Sequence, residues 1–79
     1  MALPRVDKDK TGENIKRLMR LNKIDAFELS QTLGHRSTTS VYQWLQGRIV
    51  PNADSLVKLA AIFNCKLDDI LILEEGNND

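Results

Sequence analysis

Apolar residues return at intervals of three and four along most of this chain, with polar residues between them, which is the pattern of amphipathic helices. Residues 11 to 21 bring Ile15, Leu18 and Met19 to one face, with Thr11 placed to cap the start. Residues 25 to 33 set Leu29 and Leu33 four apart beside small Ser30. Val41, Trp44 and Leu45 make a third inward stripe that closes at Gly47. Leu56, Leu59, Ala60 and Phe63 make a fourth, widened by Val57 and Ile62, which predicts a central core helix. Ile70, Leu71 and Leu73 lie on the apolar side of a last short helix, whose start is favoured by Asp68 and Asp69 through the helix dipole. The five segments predict an all-α chain.

The boundaries carry their own signals. Asp25 can accept a hydrogen bond from an orphan backbone N–H, Glu28 three places on can return one, and Ile24 can pack on Leu29 as a hydrophobic staple. Gly34 supplies the left-handed stop for that helix. A hydroxyl from Thr38 or Thr39 caps the next one after a turn of His35, Arg36 and Ser37. Asn52 caps the fourth helix, and Asn64 suits its left-handed C-terminal position. Residues 25 to 47 thus form two short helices about a tight polar turn. The second leaves Thr39, Ser40, Tyr42, Gln43 and Gln46 facing outward. That face is uncharged yet dense in donors and acceptors, as a surface that reads base edges in the major groove of DNA would be. A Gln can bond adenine bidentately, and a Thr methyl can touch the methyl of thymine.

Seventy-nine residues bound the chain to one domain, which buries somewhat more than roughly 60% of its unfolded surface and leaves no room for a deep pocket. The expected organisation is a flexible arm over residues 1 to 10, a helical domain over 11 to 73 and an acidic tail over 74 to 79. The net charge of zero weighs against a nucleic-acid partner, but its distribution does not. Up to Arg48 there are nine Lys/Arg against five Asp/Glu, a balance of +4; from Ile49 onward there are two against six, a balance of −4. The polar helix pair sits in the basic half. The single Cys65 cannot form an internal disulfide and reads as a small core residue. The first ten residues lack the apolar run of a signal peptide and no segment reaches the length of a membrane span, so a cytoplasmic location is expected.

Nothing assembles a catalytic set. His35 has no second His or Cys at ligand spacing, so no metal site is expected. The serines cluster in a polar turn and on the third helix without a nucleophile elbow or oxyanion motif. An enzyme, a cofactor and a small-molecule substrate are all excluded from the expectation. Trp44 reads as core and not as a stacking platform, because it lies on the inward stripe. Tyr42 has two readings, a base contact or a cover for the edge of the core with its hydroxyl in water.

Taken in order, these residues resemble the Cro/C1-type, lambda-repressor-like helix-turn-helix family of bacterial and phage regulators. The resemblance covers roughly residues 11 to 73. It rests on Gly12, Ile15 and Leu18 in the first helix, Leu29-Ser30 and Leu33-Gly34 in the second, and Val41, Trp44 and Gly47 in the third. Pro51, Leu56, Leu59-Ala60 and residues 67 to 71 continue it. It implies a compact five-helix bundle whose third helix, near residues 39 to 46, is the recognition helix, with double-stranded DNA as partner and a homodimer on an inverted repeat. Thr38, Thr39, Tyr42 and Gln43 fall where such proteins touch bases. Arg17, Arg36, Ser37, Gln46 and Arg48 are the expected backbone contacts, which would fix orientation while the recognition helix fixes sequence. The chain departs from the family pattern at Ala26, where Gln is common, in a turn one residue longer between Gly34 and Gly47, at Met19, and at Phe27. A transcriptional regulator, in repressor style, is the function this resemblance implies. The departures and the zero net charge support an alternative, a protein-interaction module of the same fold that does not bind DNA, such as an anti-repressor or a toxin or regulator partner.

Overall fold

The computed structural model describes residues 3 to 75. Four α-helices follow one another: α1 (Lys8–Leu21), α2 (Ala26–Leu33), α3 (Thr39–Leu45) and α4 (Ala53–Phe63). A single 3-10 turn, Leu67–Asp69, then leads into an extended segment. The all-α class holds, but the fifth helix does not form. The reason is a long-range pairing. Val6 and Leu73 form an isolated antiparallel bridge, Asp7 N–H donates to the Ile72 carbonyl at 2.7 Å, and Glu74 N–H donates to the Arg5 carbonyl at 2.8 Å. Backbone groups of residues 72 and 74 that a helix would use internally are instead spent on the N-terminal segment.

The same pairing ties the two ends of the chain together. The described part of residues 1 to 10 is tied to the C-terminal segment, and α1 starts at Lys8, capped by the Asp7 carboxylate, which accepts from Lys10 N–H at 2.9 Å. Thr11 is therefore not the cap. It is 1% exposed, and its hydroxyl accepts from Ile72 N–H at 2.9 Å while donating to the Ile72 carbonyl at 3.3 Å. Glu74, expected in the free acidic tail, faces Arg5 at 3.9 Å. Residues 76 to 79 of that tail lie outside the described residues.

The caps of α2 and α4 are as expected. Asp25 accepts from Glu28 N–H at 2.8 Å, and Glu28 accepts from Asp25 N–H at 3.0 Å. Gly34 closes α2 at φ 82°, in the left-handed region that a residue with a Cβ enters at a cost. Asn52 accepts from Ser55 N–H at 2.8 Å, and Asn64 ends α4 at φ 54°. The core is shared by all four helices: Ile15 and Leu18 of α1, Leu29 and Leu33 of α2, Val41 and Trp44 of α3, Leu56, Leu59 and Phe63 of α4, closed by Ile70. Val57 does not widen the α4 stripe, being exposed on the outer side, whereas Ile62 is half-buried against the core. Among the described residues no helix is long and apolar enough to cross a membrane.

Candidate nucleic-acid interface

Helix α3 is only seven residues long, so tertiary contacts and not its own hydrogen bonds must hold it. Val41 and Trp44 anchor its inner side, at 0% and 4% exposure. The His35 and Trp44 rings meet edge to face with centroids 5.9 Å apart, which packs the turn onto the helix it introduces. The far end of α3 rests on α1. A Cβ built on Gly12 would strike the Trp44 carbonyl and come within 3.0 Å of the Leu45 carbonyl, so only glycine lets the two backbones approach this closely. Gly47, at φ 75°, lies against Asp9 of α1. The orientation of α3 is thus fixed by the turn before it and by α1.

Held in this way, α3 turns Thr39, Tyr42 and Gln46 to solvent along one continuous strip, with Thr38, Ser40 and Gln43 half-buried beside it. Each of these side chains carries hydrogen-bonding groups, and none is charged. Among the described residues only Thr39 of this set has a side-chain hydrogen bond, and its partner is Ser37 of the turn. Ser37 Oγ donates to Thr39 Oγ1 at 3.1 Å and accepts from Thr39 N–H at 3.3 Å. Neither Thr38 nor Thr39 caps α3 through its hydroxyl; the Ser37 hydroxyl, in the turn just before the helix, is the one that reaches its first N–H. Thr38 holds the cap position without a side-chain bond.

The expected site residues do not all share one surface. Thr38, Thr39, Tyr42, Gln43 and Gln46 are on α3 or at its start, Arg36 and Ser37 are exposed in the turn before it, and Arg48 is exposed just after Gly47. Arg17 stands apart. Its guanidinium donates to Asn14 Oδ1 at 3.0 and 2.8 Å, and the Asn14 amide donates to the Asp69 and Ile70 carbonyls at 2.7 and 3.0 Å. Arg17 therefore lies on the side of α1 that faces the C-terminal segment, whereas Gly12 marks the side that faces α3. Sequence reasoning missed the role of Asn14, whose acceptors lie 55 and 56 residues away.

Between α2 and the turn is a cleft of about 330 Å³, walled by Phe27 and Gln31 on one side and by Arg36, Ser37 and Thr38 on the other. Ser30 Oγ and His35 Nδ1 are buried here without a hydrogen-bond partner. Cys65 is half-buried, and burial followed by the Asp69 carboxylate pushes its thiol upward from the ordinary value. That is the opposite of what a reactive thiolate requires.

Comparison with curated proteins gives no match to the chain. A family model described as the Cro/C1-type HTH DNA-binding domain matches residues 14–76. With four helices packed on one core, α2 and α3 joined by the capped turn, and this match over most of its length, the chain belongs to the Cro/C1-type helix-turn-helix DNA-binding domain family.

Proposed function

We propose that this chain is a sequence-specific transcriptional regulator, a repressor that binds an inverted-repeat operator as a homodimer and reads it with α3. The observation that carries this reading is the outward strip of α3. Thr39, Tyr42 and Gln46 are exposed and uncharged, with Gln43 and Thr38 at the margin, on a helix whose inner side is fully anchored. Thr38, Thr39, Tyr42 and Gln43 are assigned to base edges. Arg36, Ser37, Gln46 and Arg48, which flank them, are assigned to the phosphate backbone. Arg17 is dropped from the set, since its neighbours are Asn14 and the C-terminal segment. If two copies bind about a two-fold axis, their half-sites fall about 34 Å apart, one turn of duplex.

The residue-level test is Gln43→Ala on a sequence selected by the wild-type protein. Loss of a bidentate contact costs about 1–3 kcal/mol and relaxes preference at one position. Arg48→Ala instead weakens selected and unrelated duplexes alike. Unchanged preferences in Gln43→Ala would overturn the assignment of α3. A second reading, a protein-binding module, draws support from Phe27, which is 60% exposed at the rim of the cleft beside the turn. An apolar protein interface is insensitive to salt where a DNA interface is not, so salt dependence separates the two.

A further inference from the structure

A buried polar group without a partner is uncommon, because it gives up water and gains nothing in exchange. The cleft of about 330 Å³ between α2 and the turn has two of them together. Ser30, which is 2% exposed, and half-buried His35 form its floor, with Ser30 Oγ and His35 Nδ1 both unpartnered. The His35 N–H donates to the Ser30 carbonyl at 2.9 Å, which brings the two residues side by side, yet their side chains do not bond to each other. Alanine at position 30 would avoid the cost. Departures of this kind from local economy gather at functional sites.

The rim supplies two further groups. Phe27, at 60% exposure, offers an aromatic face. Arg36 is exposed, and among the described residues no carboxylate lies within 4.0 Å of it. The cleft is at the small end of ligand pockets, which run to roughly 300–1,000 Å³ and combine an apolar wall with a few placed polar groups.

The geometry points to this cleft as the seat of a small aromatic hydroxy acid. Its ring packs on Phe27, its carboxylate pairs with the Arg36 guanidinium, and its hydroxyl goes to the floor. A hydroxyl both donates and accepts; Ser30 Oγ can do either, and His35 Nδ1 takes one role according to its tautomer, so the pair can satisfy it. Contact requires only a rotation of the Ser30 side chain, which no hydrogen bond holds. The regulatory consequence rests on the DNA-binding reading. Arg36, Ser37 and Thr38 wall the cleft and are the residues assigned to DNA, so the ligand and the operator exclude each other and the ligand acts as a releasing effector.

The test titrates para-hydroxybenzoate and meta-hydroxybenzoate into the full chain, with amide NMR shifts to locate the site and circular dichroism to check that each variant is folded. At least one of the two acids should shift the amides of Ser30, His35 and Arg36. Ser30→Ala should weaken that acid about tenfold and leave benzoate, which lacks the hydroxyl, unaffected. Arg36→Gln should weaken the same acid and leave phenol, which lacks the carboxylate, unaffected. Without ligand, Ser30→Ala should bind a selected duplex as wild type does. With the acid at about ten times its wild-type Kd, anisotropy should show DNA binding weakened about elevenfold for wild type and about twofold for Ser30→Ala. Cleft amides that neither acid moves, or affinities that both variants leave unchanged, as for an adventitious additive only, overturn the site. Binding in the cleft with unaltered DNA affinity overturns the exclusion. If wild type binds no duplex while the acid still binds and depends on Ser30, the DNA reading fails and the ligand site stands.

Discussion

Gly12→Ala sets two opposed effects against each other, and the structure decides the sign. Position 12 is inside α1, where alanine is intrinsically better than glycine by about 1 kcal/mol. On propensity alone the variant would be more stable. The new Cβ, however, would sit 3.0 Å from the Leu45 carbonyl oxygen and 3.2 Å from its carbon, with the Trp44 carbonyl closer still. These are backbone atoms at the end of α3, which cannot rotate away as a flexible side chain would. Relief requires α1 and α3 to separate, which loosens Ile15 and Trp44 in the core they share. Overpacking of this kind costs about 1–3 kcal/mol, and a backbone obstacle places it at the upper end. The net is a loss of about 2 kcal/mol, or a fall in Tm of roughly 10 °C for a domain of this size. Thermal unfolding followed by far-ultraviolet circular dichroism measures it directly. A Tm equal to or above that of wild type would refute the close approach of α1 to α3.

Three further substitutions test separate parts of the account by the same measurement. Asp25→Ala removes the carboxylate half of the reciprocal cap on α2, leaving the backbone N–H that donates to Glu28, and should cost about 1 kcal/mol, whereas an unchanged Tm would mean that the Asp25 carboxylate contributes nothing. Thr11→Val keeps the shape but strips the hydroxyl that joins α1 to both backbone groups of Ile72, and should cost about 1–2 kcal/mol. Ser30→Ala should go the other way: the Ser30 hydroxyl is buried without a partner, so its removal should leave stability unchanged or raise it by up to about 1 kcal/mol, and a clear loss would mean that it has a partner.

What could be read from the sequence was what is decided within four residues. The Asp25–Glu28 cap, the Asn52 cap, and the left-handed Gly34 and Asn64 are all local exchanges between near neighbours, so their residue types suffice to announce them. The inward stripes of α2 and α3 follow from spacing alone, and with them the outward face of Thr39, Tyr42 and Gln46. The ends of the chain were not legible, because they are decided by each other. Nothing near Thr11 indicates that its hydroxyl is taken by Ile72, 61 residues on, and nothing near residues 70 to 73 indicates that Val6 will draw them into extended pairing. Spacing also showed that α1 has a polar arc without showing which part of it faces α3. Only the contacts of Gly12 and Asn14 separate Lys16 from its neighbour Arg17. Three neighbouring hydroxyls, of Ser37, Thr38 and Thr39, could each have met the start of α3, and residue type alone does not say that it is Ser37 that accepts the Thr39 N–H.

The most direct test of the central claim is selection of randomised duplex DNA on the purified protein, followed by anisotropy on the enriched sequence across a range of salt. The account predicts an inverted repeat with half-sites about one helical turn apart, bound with a log–log salt slope of about −0.9 for each phosphate neutralised. No enrichment, with no binding to any duplex even at low salt, would contradict it.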